Sequence, residues 1–376
     1  MNKQYLLLSL VIVITFVGGF FSGVFYSTTD NESEEYQDKL VKPLPFAARN
    51  LVPRDLPKIE EPKETNVLIG YVQDFRDMDT VNYSNLTHAI FSFAHPEKDG
   101  SVTFNGEMAL TNLRKMVSKA HKSGAKAILA VGGWYHINGG ESYEYFKAAI
   151  TEPAARTKLV NELVAIVERE KLDGIDIDFE HPRSNEDAKN LKKFMAELSS
   201  KLHPKNKELT IAVNSKVHSV AGTELSNVVF DPTMFEFVDY VNIMAYDGQW
   251  DGEYNAANLS SFPHNVNIVG YWSNLFEQHN LDKEKLVLGV PLYGQPEKPE
   301  DKQVSYAAII NNNAKNSKKD SANMNGTTYH YNGEETVKKK IQLALDNGFG
   351  GMMVWETGLD ANGQNSLISF MAKELK

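Results

Sequence analysis

Four carboxylates stand within eight residues of otherwise apolar sequence, in the stretch KLDGIDIDFEHP at 171–182. The four are Asp173, Asp176, Asp178 and Glu180. In an extended strand side chains alternate between two faces, so Asp176, Asp178 and Glu180 share one face and apolar residues occupy the other. Successive carboxyls on that face lie roughly 6–7 Å apart, close enough for coupled titration. The spacing predicts acids that hold and transfer a proton; a solvated acidic strand edge is the alternative.

The elements that must position these acids follow one another from Asn66 onward. Short apolar runs, which predict strands, alternate with stretches of helical periodicity, as in parallel βα units. The apolar runs cover 67–72, 88–94, 126–133, 172–179, 209–215, 237–246, 285–294 and 350–356. Eight such units predict an α/β fold, the (β/α)8 TIM barrel, with functional groups at the carboxyl ends of the strands. A doubly wound open sheet is the alternative, but its GxGxxG phosphate-binding motif is absent.

Polar and aromatic residues gather at the carboxyl ends of several predicted strands. They are Gly132, Gly133 and Trp134 after the third strand, Asp178 and Glu180 at the fourth, Met244, Tyr246 and Asp247 at the sixth, and Trp355 and Glu356 at the eighth. A polar segment at 294–333 separates the seventh and eighth strands and predicts a short insertion at the active-site end. These groups are therefore expected to meet around one cleft.

The amino terminus carries an uncharged run from Tyr5 to Thr29. A helix of this length can cross the ~30 Å hydrocarbon layer, and the run is longer than a usual signal peptide core. Lys3 precedes the run and four acids follow it by residue 35, which places the bulk of the chain outside the cytoplasm. We expect residues 1–29 to be a membrane anchor, with a cleaved signal segment and a secreted protein as the alternative. Residues 30–65 read as a proline-bearing spacer and 66–376 as the catalytic barrel.

The overall composition narrows the possible partners. The chain has 376 residues, a formal net charge of -10 and no cysteine. An acidic chain lacks the basic footprint that nucleic acid requires, and the absence of cysteine excludes disulfides and thiol catalysis. The ten histidines show no HxxxH-type spacing, so no metal and no cofactor is expected.

The DxxDxDxE pattern formed by Asp173, Asp176, Asp178 and Glu180, with MAYD at 244–247, resembles the signature of glycoside hydrolase family 18, the chitinases and their relatives. The resemblance covers 66–376. It implies that Glu180 is the general acid and that Asp178 orients the substrate's N-acetyl group and stabilises the charged intermediate. It also implies that Asp176 is the buried partner of Asp178 and that Asp173 has a structural role.

The same resemblance implies which groups contact the sugar. Tyr246 and Asp247 would contact the reacting sugar together with Met244, and Trp355 would lie beneath it. Tyr71 would stand near the acids. Gly133 and Trp134, after the third strand, belong to the expected substrate-binding set. Trp134 and Trp250 are expected in loops, either stacked on sugar rings or packed in the loop, and Trp272 in the core.

Two of the departures from the family pattern affect contacts expected in the site. The family's SxGG at the third strand is AVGG here, so Ala130 stands where a serine hydroxyl would help to hold Asp176. We expect Asp176 to depend more on Tyr71 and on a proton shared with Asp178. Gln295 replaces an arginine that often follows the tyrosine and glycine of the seventh strand, which removes one expected substrate contact.

The function expected from these features is hydrolysis of β-1,4-linked N-acetylglucosamine polymers, chitin or chitooligosaccharides, by substrate-assisted retaining catalysis. One alternative is an endo-β-N-acetylglucosaminidase that acts on glycoprotein or peptidoglycan glycans. Another is a carbohydrate-binding lectin, which such a barrel becomes when the acid is lost. The partner expected in every case is an N-acetylglucosamine-containing polysaccharide or oligosaccharide.

Overall fold

The computed structural model describes residues 66–180, 182–216, 228–251 and 253–376. The predicted anchor at 1–29 and the spacer at 30–65 lie outside these residues. Within the part of the chain that is described, no helix combines the length and the apolar character needed to cross a membrane.

Eight parallel strands form a closed barrel, which confirms the predicted fold and excludes the open sheet. Their bounds are β1 Val67–Gln73, β2 His88–Pro96, β4 Lys126–Gly132, β5 Gly174–Asp178, β6 Glu208–Asn214, β7 Tyr240–Met244, β8 Leu286–Pro291 and β13 Gly351–Trp355. Each strand pairs with the next in chain order, and β1 pairs with both β2 and β13, which closes the ring. A further short strand, β3 at Val102–Phe104, pairs antiparallel with the end of β2.

Side-chain alternation in the strands separates two apolar layers. In β5, Ile175 and Ile177 belong to the large buried cluster that includes the helix residues Leu191 and Phe194. The barrel interior holds a second, smaller cluster, with members such as Ile69, Tyr71, Ile128, Ala130 and Met353. The outer faces of the strands therefore bury the helices, and the inner faces are left to hold the polar site.

Eight α-helices occur in the described residues. They are α1 Gly106–Lys122, α2 Tyr143–Thr151, α3 Pro153–Glu170, α4 Asn185–Leu202, α5 Phe262–Gln278, α6 Tyr306–Asn312, α7 Glu334–Asp346 and α8 Leu367–Glu374. The sequence places local signals at their starts: the Ser184 side chain accepts a hydrogen bond from the Asp187 amide, and Pro153 occupies the first turn of α3. The expected core residue Trp272 is fully buried on α5.

The segment between β8 and α7 is more ordered than the predicted polar loop. It contains α6 and four short strands, β9 Tyr293–Pro296, β10 Val304–Ser305, β11 Ser321–Met324 and β12 Thr327–His330. These strands form an antiparallel sheet in the order β10-β9-β12-β11. The strands are two to four residues long and largely polar, so they lack the apolar alternation by which the barrel strands were recognised.

Candidate active site

The last three acids of the DxxDxDxE stretch lie toward the carboxyl end of the fourth barrel strand, β5. Asp176 and Asp178 belong to β5, and their side chains are 0% and 3% exposed inside the barrel. Glu180 follows the strand by two residues and is partly exposed. The row therefore runs from the interior to the mouth, with Glu180 the member nearest to an incoming substrate.

Asp176 is held by three donors on three different strands. The Tyr71 hydroxyl donates to Oδ2 over 2.8 Å, and the Asn242 amide donates to Oδ1 over 3.2 Å. The Thr210 hydroxyl also donates to Oδ1. Burial raises the pKa of Asp176 to about 6, although all three hydrogen bonds favour the carboxylate and lower it.

These three hydrogen bonds hold Asp176 although Ala130 stands where the family pattern has a serine. Ala130 is the register partner of Asp176 on β4, and Thr210 is its register partner on β6. The hydroxyl that β4 lacks therefore comes from the strand on the other side. Sequence reasoning identified Tyr71 but missed Thr210 and Asn242, because only strand register brings them to Asp176.

Asp178 and Glu180 are both shifted toward the protonated form. Burial raises the pKa of Asp178 well above its usual range, and the neighbouring Glu180 and Asp176 raise it further. Burial, followed by the charge of Asp247, raises the pKa of Glu180 to about 7. Asp178 Oδ1 is buried and accepts no hydrogen bond from any described residue. The site therefore favours a bound proton near neutral pH and leaves one buried carboxyl oxygen without a donor among the described residues.

The MAYD stretch at the end of β7 lies against the same acids. Tyr246 is buried, and its hydroxyl is 4.0 Å from the sulfur of Met353. Burial, followed by the charges of Asp247, Asp178 and Glu180, raises the pKa of Tyr246 well above its usual range. The Tyr246 hydroxyl therefore stays protonated and can donate to a ligand.

Asp247 is an exposed residue in a left-handed backbone conformation, with φ of 63°. Its Oδ1 accepts a hydrogen bond of 2.6 Å from the Tyr293 hydroxyl on β9. Tyr293 was not predicted as a site residue, since the sequence gives no sign that the insertion returns to β7. Gln295 on the same strand donates to the Tyr254 hydroxyl and accepts from Gln303.

Aromatic rings line the interior beside the acids. Trp355, at the end of β13, stands with its ring centroid 5.6 Å from that of Tyr71 and 5.9 Å from that of Phe93, stacked on the latter. Trp134 is 45% exposed in a loop, and Trp250 is 60% exposed at the end of a 3-10 turn, Gly248–Trp250. Trp250 contacts Tyr254, with centroids 4.7 Å apart.

Two glycines let the end of β4 approach Asp178. The Gly133 amide donates to the Asp178 carbonyl over 2.8 Å. Gly132 has φ of +122°, and a Cβ there would lie 2.2 Å from the Asp178 carbonyl oxygen. Glycine is required because no other residue fits both the conformation and the space.

Asp173, the first acid of the pattern, lies at the opposite end of β5 from the other three. Its Oδ2 accepts a hydrogen bond of 2.8 Å from the Ala127 amide, and His121 Nε2 is 2.7 Å away. Asp173 therefore ties the start of β4 to α1 and is separated from the acids at the mouth.

Comparison with known proteins gives the family. The family model for glycosyl hydrolases family 18 matches residues 67–360. A chitinase-like effector from Moniliophthora roreri is 27% identical over 248 residues, which are 60% of this chain and 56% of the effector. Endochitinase 1 from Metarhizium robertsii is 24% identical over 359 residues, 87% of this chain and 82% of that protein.

The comparison with solved structures also finds a chitinase. The chitinase ChiB from the chitin utilization locus of Flavobacterium johnsoniae is 25% identical and superposes with a TM-score of 0.68, covering 83% of this chain and 94% of that one. The family match, at residues 67–360, includes all eight barrel strands and the acids of β5. The sequence prediction of a glycosidase is confirmed, and the chain belongs to glycosyl hydrolases family 18.

Proposed function

We propose that this protein hydrolyses β-1,4-linked N-acetylglucosamine polymers, either chitin or its oligosaccharides. The observation that carries the proposal is the placement of Glu180, with its pKa raised to about 7, at the mouth of a barrel directly above the buried Asp178. A carboxyl that is protonated at neutral pH can protonate a glycosidic oxygen.

In the first step Glu180 donates its proton to the glycosidic oxygen, and the bond from that oxygen to C1 of the sugar breaks. The carbonyl oxygen of the sugar's own N-acetyl group attacks C1, which gives an oxazolinium ion in place of a covalent enzyme intermediate. In the second step Glu180, now a carboxylate, takes a proton from water as the water attacks C1. The acetamido group is restored and the product keeps its anomeric configuration.

The neighbouring groups support these steps. Asp178 Oδ1, which has no donor among the described residues, can accept the N-acetyl N–H, and an ionised Asp178 can stabilise the positive charge of the oxazolinium ion. The protonated Tyr246 hydroxyl can hold the acetamido carbonyl in line with C1. Trp355 offers an apolar ring face to the sugar, and Met244 and Asp247 stand beside it on the β7 side. Gly133 and Trp134 close the β4 side of the cleft.

The substrate is tested by incubating the protein in parallel with chitooligosaccharides, a high-mannose glycoprotein and peptidoglycan. We expect soluble N-acetylglucosamine oligomers from the first substrate alone. Release of glycans from the glycoprotein or of fragments from peptidoglycan, without chitooligosaccharide cleavage, would favour the glucosaminidase alternative. Binding of chitooligosaccharides without turnover would identify a lectin.

The proposal includes a location outside the cytoplasm. It depends on the uncharged run from Tyr5 to Thr29 and its flanking charges, with residues 66–376 as the catalytic unit carried by the spacer at 30–65. A polymeric substrate of this kind is met outside the cell, so this orientation suits the proposed reaction.

A further inference from the structure

Lys340 is a fully buried lysine on α7, outside the barrel and away from the acids at its mouth. Its ammonium group donates three hydrogen bonds: to the Ser260 carbonyl over 2.5 Å, to the Ser260 hydroxyl over 2.6 Å and to Asn332 Oδ1 over 2.7 Å. A buried lysine is rare unless it is paired. Here the partners are neutral oxygens from two other segments of the chain.

The three acceptors match the protonated form of the lysine. An ammonium has three donors and no acceptor, so each of its protons has one oxygen partner here. Burial lowers the pKa of Lys340 to about 7, and the charge of Asp320 acts in the opposite direction. Maintaining such a group has a desolvation cost, which indicates that its contacts serve a purpose beyond packing.

The contacts of Lys340 lead to the backbone of the active site. The Ser260 hydroxyl accepts from Lys340 and itself donates to the Ala245 carbonyl over 2.5 Å. Asn332 Nδ2 donates to the Ser260 carbonyl over 3.1 Å, which closes the loop of hydrogen bonds. Ala245 lies directly before Tyr246 and just beyond the last residue of β7, where strand pairing no longer fixes the chain.

We propose that Lys340 is a positioning residue for catalysis, which acts through Ser260 to fix the Ala245 carbonyl and thereby the placement of Tyr246 and Asp247. The inference rests on the proposed function, because it assigns Tyr246 to the reacting sugar. The same contacts join α7 and the end of the insertion to the end of β7. Since the link consists of fully buried groups, it holds the Tyr246 backbone without any contact to the substrate.

The first test cuts the link at Ser260. Ser260→Ala removes the hydroxyl between Lys340 and Ala245 and leaves two of the three lysine contacts in place. Ser273→Ala on α5 is the matched control, because the Ser273 hydroxyl is also buried and has no partner among the described residues. We expect Ser260→Ala to lower kcat on chitooligosaccharides by about 10- to 100-fold with KM changed less than about threefold, and Ser273→Ala to keep wild-type kinetics. Unchanged kcat at 25 °C in Ser260→Ala, even with a lower Tm, would overturn the proposal.

The second test removes the positive charge of Lys340 and then restores it chemically. Lys340→Met is expected to lose kcat as Ser260→Ala does, whereas Lys339→Met at the exposed neighbouring position is its control. The chain has no cysteine, so Lys340→Cys offers a single thiol that can be alkylated with 2-bromoethylamine in denaturant and refolded as a lysine analogue. Recovery of kcat in the alkylated protein, relative to wild type taken through the same steps, supports the proposal. Folded protein that regains its Tm but not its kcat contradicts it.

Backbone hydrogen exchange separates this inference from the proposed function. Exchange in the 243–248 segment should be faster in Ser260→Ala than in Ser273→Ala whether or not the wild type cleaves chitooligosaccharides. Faster exchange in a protein without chitinolytic turnover would leave the structural link standing and reject the substrate. Equal exchange in the two variants would reject the link itself.

Discussion

Glu180 and Asp178 form an acid pair whose protonation depends on the barrel that encloses them. Burial is the largest cause of the raised pKa at both residues, and neighbouring carboxylates add to it. A general acid works best when its pKa lies near the operating pH. Glu180 meets this condition because burial, and then the charge of Asp247, raises its pKa to about 7.

Glu180→Gln tests the role of that proton. The protonated carboxyl is the active form in the first step, so wild-type activity should fall as the pH rises through about 7. The variant keeps the shape of the side chain but has no titrating proton, so kcat should fall by about 10²–10⁴-fold while chitooligosaccharide binding persists. Kinetics across pH and calorimetric titration measure both quantities.

Glu180→Gln is expected to lower activity but to raise stability at high pH. A carboxyl whose folded pKa is raised contributes stability below its unfolded pKa, here about 4.5, and loses that contribution as the pH rises through the folded value near 7. At pH 8 Glu180→Gln should therefore have a higher Tm than the wild type, and the difference should vanish near pH 4. If the variant and the wild type have the same Tm at pH 8 as well as at pH 4, the pKa of Glu180 is not raised in the folded protein.

Tyr71→Phe tests the support of Asp176. Loss of a hydrogen bond to a charged group costs about 1.5–3 kcal/mol, or roughly 10- to 100-fold in rate if it is felt in the transition state. Ala130→Ser adds a hydroxyl at the register partner of Asp176, so Tyr71→Phe should cost less activity in the Ala130→Ser background than alone. Nearly full activity of Tyr71→Phe would instead show that Thr210 and Asn242 hold Asp176 without help.

Sequence reasoning could predict the acids but only some of the residues that hold them. Asp176 and Asp178 are two positions apart on β5, so strand alternation puts them on one face, and Glu180 continues the same spacing just beyond the strand. Thr210 and Tyr293 are distant in sequence and reach the acids and Asp247 through register and through the antiparallel insertion. The expected proton sharing between Asp176 and Asp178 stays a prediction, since Asp176 is bonded to Tyr71, Thr210 and Asn242.

At the scale of the elements, the contact between the end of β4 and the end of β5 fixes the position of Asp178 along the barrel axis. The Gly133 amide bonds the Asp178 carbonyl, and Gly132 passes so close to it that a Cβ would overlap the oxygen. A side chain at Gly132 must push β5 away or shift β4. The two-glycine turn is therefore part of the catalytic geometry.

Gly132→Ala should lower both stability and kcat. Gly124→Ala is the matched control, because Gly124 also has a positive φ, of +80°, but a Cβ there meets nothing within 4 Å. The control pays only the cost of the left-handed conformation, about 1–2 kcal/mol. Denaturant unfolding should show a larger loss for Gly132→Ala, and only that variant should lose activity. Equal effects of the two substitutions would argue against the clash.

The elements themselves differ in how well the sequence predicts them. All eight barrel strands lie within the predicted runs or extend them by one or two residues, because each predicted run carries four or more apolar residues. The strands β9 to β12 were missed, since they are only two to four residues long and largely polar. The insertion is nevertheless the element that brings Tyr293 to Asp247 and Asn332 to Lys340.

At the scale of the whole molecule, the proposal combines a catalytic barrel with a predicted membrane anchor at residues 1–29. The described residues include the barrel from Asn66 onward, and the predicted anchor lies before them. The spacer at 30–65 contains five prolines, which favour an extended chain. The barrel would then face substrate outside the cytoplasm.

Sequencing the amino terminus of the mature protein tests the anchor. We expect the protein in the membrane fraction to begin at or near Met1, because the uncharged run is long enough to span the hydrocarbon layer. Treatment with alkaline carbonate is the control, since it strips proteins that are only adsorbed to the membrane. Soluble protein that begins beyond Thr29 would show that the segment is a cleaved signal.

The central claim is that the substrate's own N-acetyl group, and not a carboxylate of the protein, forms the bond to C1. Proton NMR of fresh product from a chitooligosaccharide, together with mass spectrometry of enzyme quenched during turnover, tests it most directly. The proposed mechanism predicts that the new reducing end appears first as the β-anomer, with no sugar attached to the protein. An α-anomer as the first product, or a glycosyl adduct on Asp178, would contradict it.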